Sequence, residues 1–324
     1  MAESLLRVEN LSKNFDRLPV LKDVSFSLAQ GEVIGLVGRQ GAGKSTLFHL
    51  LNGTTSPSSG TIHFDGKPRR FINRIQAQKF GIETVYQTYG LINRFDFSAN
   101  FLTSSDSGVE TTRQTSGLVE EFNVTENILL GREIRKLRGF GIIDWDRMVE
   151  FARELLAEFE LSPDLAHEPV SNLSDEQRQV VILLRMLYRP CRLLLLDDII
   201  PILSFQRQKI LLNKIKKLAA QGTSIIISSD DLKHLFTVTD RIIVLYEGKL
   251  AADRRTVEST PREIVELIVG SSRQDQVSPL IWALESYHSA QQQSEELRRT
   301  QISLKESLEA RNSQNRQLVE RLGN

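Results

Sequence analysis

The sequence predicts an α/β fold: a core built on a strand–loop–helix unit, an antiparallel β subdomain, a helical subdomain around residues 120–185, and an appended long C-terminal helix. Three observations predict it. The first is an apolar run, Val33-Ile34-Gly35-Leu36-Val37, that leads into a glycine-rich stretch and then into Leu47-Phe48-His49-Leu50-Leu51, the first turns of a helix. The second is a pair of unbroken apolar runs, Leu193-Leu194-Leu195-Leu196 and Ile225-Ile226-Ile227, each ending in polar or acidic residues. Such runs read as buried strands that deliver side chains to a site at their C-terminal edge. The third is a set of short apolar segments separated by turns, Leu5-Leu6-Arg7-Val8, Val24-Ser25-Phe26-Ser27-Leu28 and Thr61-Ile62-His63-Phe64, the last closed by Asp65-Gly66.

Composition sets outer limits. The 324 residues allow about two domains, or one domain and an extension. Lys+Arg and Asp+Glu balance at 41 each, so no global basic field argues for nucleic acid. The single cysteine, Cys191, excludes an intramolecular disulfide and reads as a small buried hydrophobe in a reducing compartment. No segment approaches a membrane span, and Met1-Ala2-Glu3-Ser4-Leu5-Leu6-Arg7 lacks the pattern of a secretory signal. The expected location is the cytoplasm, with a membrane met only through a partner at its inner face.

The glycine-rich stretch is Gly38-Arg39-Gln40-Gly41-Ala42-Gly43-Lys44-Ser45-Thr46. It fits the phosphate-binding pattern G-x-x-x-x-G-K-S/T in its required strand–loop–helix setting. The glycines let backbone N–H groups close around a β-phosphate, and the helix N-terminus adds its positive end. Lys44 reaches the β- and γ-phosphates and the Ser45 hydroxyl serves Mg²⁺. Gly38, Gln40, Gly41, Ala42, Gly43, Lys44, Ser45 and Thr46 are therefore the candidate residues for ATP, with Mg²⁺ as the accompanying ion. Phe15, between the first two strands, has two readings from spacing alone: an aromatic stacked on adenine, or a core Phe under a loop.

At this point residues 5–66 resemble the ATP-binding subunit of an ABC transporter, a P-loop NTPase of the ABC ATPase type. Phe15, the phosphate loop, Ser58-Ser59-Gly60-Thr61-Ile62 and Asp65-Gly66-Lys67-Pro68 carry the likeness. It continues to about residue 270. Val124-Thr125-Glu126-Asn127-Ile128-Leu129-Leu130-Gly131-Arg132-Glu133 and Gly141-Ile142-Ile143-Asp144-Trp145 point to the simple-sugar importers. The resemblance implies Phe15 as the adenine-stacking aromatic, Gln87 as a ligand reaching Mg²⁺ and the attacking water, and Asp197 as the Walker B aspartate serving Mg²⁺. It also implies a head-to-tail pairing with a second cassette and contact with a membrane permease.

Departures from the family follow. Gly90-Leu91-Ile92-Asn93-Arg94-Phe95-Asp96-Phe97-Ser98-Ala99-Asn100-Phe101-Leu102 resembles the segment beginning Gly117-Leu118-Val119, an offset of 27 residues (117 − 90). A tandem duplication within 90–129 and chance similarity both account for it. Leu173-Ser174-Asp175-Glu176-Gln177 stands where the family has Leu-Ser-Gly-Gly-Gln. Either Asp175 and Glu176 repel a phosphate, or Ser174 is a helix N-cap with acids in the first turn. Asp198 replaces the family's catalytic glutamate and is shorter by about 1.5 Å; a displacement of about 1 Å costs on the order of 100-fold. Ser204 replaces a loop aspartate that reaches across the dimer. At the switch position, Ser229 or Asp230 replaces histidine, as in the second cassette of two-cassette sugar importers.

Residues 145–160 show a helical pattern with Met148, Phe151, Leu155 and Phe159 on one face. Beyond Ser271 the chain turns to Gln, Ser, Glu and Arg, with Leu297, Leu304 and Leu318 on a seven-residue spacing. That helix is either solvated or a dimerising or partner-binding one. The expected domains are thus an ABC ATP-binding domain, 1–270, and a helical extension, 271–324. The expected function is a sugar-type ABC ATP-binding subunit with impaired ATP hydrolysis. The alternative is a regulatory or scaffold protein derived from one, acting through its C-terminal helix.

Overall fold

The computed structural model describes residues 4–16, 18–86, 118–136 and 142–269. The chain divides into two units, Met1–Ile268 and Val269–Asn324. Nearly all described residues belong to the first. Gln87, residues 90–117 and the segment expected to form the C-terminal helix lie outside the described residues.

Two sheets frame the first unit. The antiparallel sheet holds β1 (Ser4–Phe15), β2 (Leu18–Ala29), β4 (Ser59–Phe64) and β5 (Lys67–Arg69), in the order β2-β1-β4-β5. The larger sheet holds β3 (Val33–Val37), β6 (Ile82–Tyr86), β7 (Leu193–Asp197), β8 (Ser224–Ser228), β9 (Arg241–Tyr246) and β10 (Lys249–Arg255), in the order β10-β9-β3-β8-β7-β6. Its pairings are parallel except for β9–β10. Every residue of β3, β7 and β8 is buried, as expected of central parallel strands covered on both faces. In β1 and β2 burial alternates, so one face of that sheet meets the core.

Helix α1 (Lys44–Leu51) joins the two sheets. Leu47, Phe48, Leu50 and Leu51 are buried in one core with Leu6, Leu21 and Leu28 of the first sheet and Leu36 and Leu195 of the second. Burying such side chains stabilises by about 1.5–3 kcal/mol each. Around this core run α2 (Arg74–Lys79), α6 (Phe205–Ala220), α7 (Leu232–Val238) and α8 (Pro261–Val269).

The helical subdomain holds α3 (Val124–Leu129), α4 (Trp145–Glu158) and α5 (Asp175–Leu187). The family-like run at α3 has a folding role for each polar residue. The Thr125 hydroxyl donates to Ala166 O at 2.8 Å. Asn123 and Glu126 form a capping box. The buried Asn127 amide donates to the carbonyls of Val119, Phe122 and Asn123.

Three expectations change in detail. Phe15 ends β1 instead of lying in a loop, and it is 46% exposed, which removes the core reading. On α4, Met148 and Leu155 are buried as expected, and Phe159 caps the helix from inside the core. Phe151 is only half-buried and packs edge-on against Tyr188, while Ala152 and Leu156 complete the buried face. α5 begins at Asp175, so of the two readings of Ser174 the helix N-cap is the one observed.

Candidate nucleotide-binding site

The strand order decides what meets. β3, β8 and β7 are adjacent and parallel, so the segments following them emerge side by side at one edge of the sheet. These are the glycine-rich loop after β3, residues Ser229 and Asp230 after β8, and Asp197 and Asp198 at the end of β7. Separations of nearly 200 residues in sequence are thereby closed.

The loop is shaped by its glycines. A Cβ at Gly38 would lie 2.4 Å from Leu245 O, and one at Gly43 would lie 2.5 Å from Leu21 Cδ2, both at positive φ. At Gly41 an added Cβ meets nothing within 4 Å. The loop is thus tight on its inner side and open on its outer side. Gly43 is the N-cap of α1 and supplies no side-chain cap, and no acid occupies the first turn. The amides at this helix start therefore keep their capacity for an external acceptor. A polyphosphate fits such a cradle. Ser45 is exposed at the same end, and Thr46 is half-buried.

Lys44 is not free-standing. Its ammonium donates to Gly38 O and to Asp230 Oδ1, the latter at 3.0 Å. Its side chain is 13% exposed and that of Asp230 is 69% exposed. This settles which of the two switch candidates faces the loop. Ser229 is fully buried, and its hydroxyl accepts from Asp231 N.

The Walker-type carboxylates are held by Ser228. Its hydroxyl donates to Asp197 Oδ1 at 2.6 Å, and Ser228 Oγ accepts from Asp198 N at 3.0 Å. Asp197 is buried. Asp198 takes a left-handed conformation, φ +50°, which Asp tolerates better than most residues. Its Oδ1 is buried without a hydrogen-bond partner. Burial, then the Asp230 and Asp197 carboxylates, push its carboxyl up from the ordinary value, with Lys44 opposing. Tyr86, in register with Asp197, has its hydroxyl bonded by the Asn52 amide, and burial pushes it up to about 12. Phe15 carries Lys13 Nζ 4.9 Å from its ring centre.

At α5 the capping reading is the observed one. Ser174 Oγ accepts from Gln177 N, and Gln177 Oε1 accepts from Ser174 N. Glu176 turns toward its own chain. It accepts from Ser204 N at 2.7 Å and pairs with Arg207 at 2.6 Å. Burial opposes its charge, but these two donors hold it below its usual range. Sequence reasoning missed this link, and Ser228 as well: partners 28 to 31 residues apart leave no periodic signal. Asp175 is exposed.

Cys191 is half-buried, and burial pushes its thiol up to about 12, in keeping with an inert role. No helix among the described residues is long and apolar enough to cross a membrane.

A glycine cradle at an open helix start, facing strand-end carboxylates, defines the P-loop class of nucleotide-binding proteins. A family profile described as "ABC transporter" matches residues 21–200, more than half of the chain. The chain belongs to the ABC transporter family. It is 31% identical over 268 residues to the galactofuranose transporter ATP-binding protein YtfR of Escherichia coli K12, covering 83% of this chain and 47% of that one. It is 30% identical to the ribose import ATP-binding protein RbsA 2 of Burkholderia cenocepacia, with the same coverage. The chain thus spans about half the length of the curated relatives it matches. Solved structures agree in fold. A nucleotide-free ATP-binding cassette from an ABC transporter matches with TM-score 0.61 and 24% identity, over 83% of this chain and all of that one. A dimeric post-hydrolysis cassette bound to ADP and Pi matches with TM-score 0.60 and 19% identity, over 78% and 98%.

Proposed function

We propose that this chain is the ATP-binding subunit of a sugar-type ABC importer. It binds Mg·ATP, closes against a second cassette and works beside a permease at the cytoplasmic face of the membrane, with slow hydrolysis. Residues 1–270 form the cassette and 271–324 an extension. The observation that carries the reading is the convergence of Lys44, Ser45, Asp197 and Asp198 at one sheet edge, next to an uncapped helix start. The sugar assignment draws on the galactofuranose and ribose relatives.

Each residue has a role. The amides of Gly41, Gly43 and Lys44 and the lysine ammonium grip phosphates, with Gly38, Gln40, Ala42 and Thr46 around them, and Phe15 offers an exposed face to adenine. Ser45 and Asp197 are hard oxygen donors suited to Mg²⁺, with Gln87 as the third. The metal, when bound, neutralises phosphate charge. Asp198 is the carboxylate nearest to a general-base role, and its short, left-handed placement supports slow turnover.

The test measures nucleotide binding and phosphate release by the purified chain, with and without a candidate permease. Saturable Mg·ATP binding with turnover below about 1 s⁻¹, raised by the permease, is expected. Absence of nucleotide binding would sink the reading. A second reading, a nucleotide-binding regulator or scaffold acting through residues 275–322, is favoured by the engagement of Lys44 by Asp230 and of Ser174 by its own helix. Binding with no stimulation by any permease would select it.

A further inference from the structure

We infer that Asp230 makes this site prefer a nucleoside diphosphate to a triphosphate. The inference rests on the reading that the glycine-rich loop holds a nucleotide, and it adds a specificity that the reading does not contain.

The argument begins with the lysine. An ammonium has three donors and no acceptor. One donor of Lys44 goes to Gly38 O and another to Asp230 Oδ1. The loop's own backbone and the carboxylate after β8 thus claim two of the three. Ala42 N is spent on Arg39 O within the loop, but the amides at the α1 start remain open to a β-phosphate, because Gly41 faces open space and Gly43 brings no side-chain cap. The two ends of a triphosphate therefore meet different surroundings. The β-phosphate meets backbone N–H groups. Lys44 reaches both the β- and the γ-phosphate, so the γ-phosphate, which lies beyond those N–H groups, depends on a lysine already neutralised by a carboxylate.

The neighbourhood adds to this. Asp197 is buried and Asp198 half-buried at the adjacent strand end. With Asp230 they make three carboxylates, and Lys44 is the cation that acts on Asp198 against them. A terminal phosphate brings further negative charge into that corner. It must either displace Asp230 from Lys44 or sit beside it, and both cost free energy in a partly desolvated site. A bound Mg²⁺ offsets part of the repulsion without removing Asp230. A diphosphate avoids the corner. Asp230 is itself largely exposed, so its role is electrostatic and does not depend on packing.

The experiment is an equilibrium titration of the full chain with Mg·ADP and with the Mg complex of the non-hydrolysable β,γ-imido analogue of ATP. Wild type, Asp230→Asn and Asp230→Glu are compared, and thermal unfolding confirms the fold of each. Wild type is expected to bind the diphosphate about tenfold more tightly. D230N is expected to tighten the triphosphate about tenfold and the diphosphate by less than about threefold, which erases the preference. D230E keeps the charge and is expected to keep the preference. Raising salt from about 0.05 to 0.5 M narrows the wild-type preference, as screening requires. A diphosphate-to-triphosphate ratio unchanged in D230N overturns the inference, as does a wild type that binds the triphosphate analogue more tightly. Binding of neither nucleotide by any of the three proteins overturns the nucleotide-binding reading itself.

Discussion

Two helix starts, those of α1 and α5, are built in opposite ways from similar material. Both follow a loop and both belong to motifs that the family uses for phosphate. At α1 the cap is a glycine, the first turn carries no acid and the amides are left for an outside partner. At α5 Ser174 and Gln177 cap each other's backbone, and Asp175 and Glu176 fill the first turn. One start leaves its amides open and the other satisfies itself. The lesson is that a helix N-terminus is not an anion site by virtue of being one: whether its amides are already spent decides.

The largest expected break in this contrast is Gly43→Ala. The added methyl meets Leu21 at 2.5 Å in a left-handed backbone. The expected loss is about 2–4 kcal/mol of stability, read as a fall in Tm and in unfolding midpoint. Mg·ADP binding is expected to fall with it. Next is Glu176→Ala, which removes the acceptor of Ser204 N and the partner of Arg207. About 1–2 kcal/mol is expected, since bonds to charged groups are worth more than neutral ones but this one is partly solvated. Asp175→Ala, at the exposed neighbouring position, is expected to stay within about 0.5 kcal/mol. Ser174→Ala opens the α5 cap at a cost of about 1 kcal/mol while leaving Mg·ADP affinity unchanged. A drop in that affinity would show that the two helix starts are coupled within one chain.

The remaining effect concerns Asp198, and its sign is opposite. Its carboxyl is raised from the ordinary 3.8 by burial and by Asp230 and Asp197. A raised carboxyl binds protons more tightly in the folded chain than in the unfolded one. It therefore favours folding below the unfolded value, and that advantage disappears as pH rises through the folded value. Asp198→Asn, which removes the charge, is expected to raise Tm by about 2–4 °C at pH 7, a gap that narrows toward pH 4. An unchanged Tm at pH 7 would mean that solvent already relieves the charge.

Much of this was legible in the sequence because it is local. The phosphate loop needs nine consecutive residues, and the β7 strand with its aspartates needs six. Unbroken apolar runs marked β3, β7 and β8 as buried strands, but their order in the sheet is seen only in the structure. The remainder depends on which segments become neighbours. Lys44 and Asp230 are 186 residues apart. Arg241 joins Glu32 at 3.0 Å and Asp253 at 2.7 Å, tying β9 to the turn before β3 and to β10, and no pattern in any of these segments announces it. Ser174 carried two readings because a capping serine and a phosphate-binding serine look alike until the Gln177 and Glu176 partners are seen.

The pairing of β3 with β8 sets a timetable for the newborn chain. Val33 lies opposite Ile225, so the first strand of the site waits for a neighbour about 190 residues later. At about 5–20 residues per second on the ribosome, that is a delay of roughly 10–40 s. During that interval the glycine-rich loop has no sheet behind it, and Lys44 has no Asp230. The contact of Lys44 with Asp230, and the sheet edge that the loop shares with β8, therefore form only once nearly three quarters of the chain has been made.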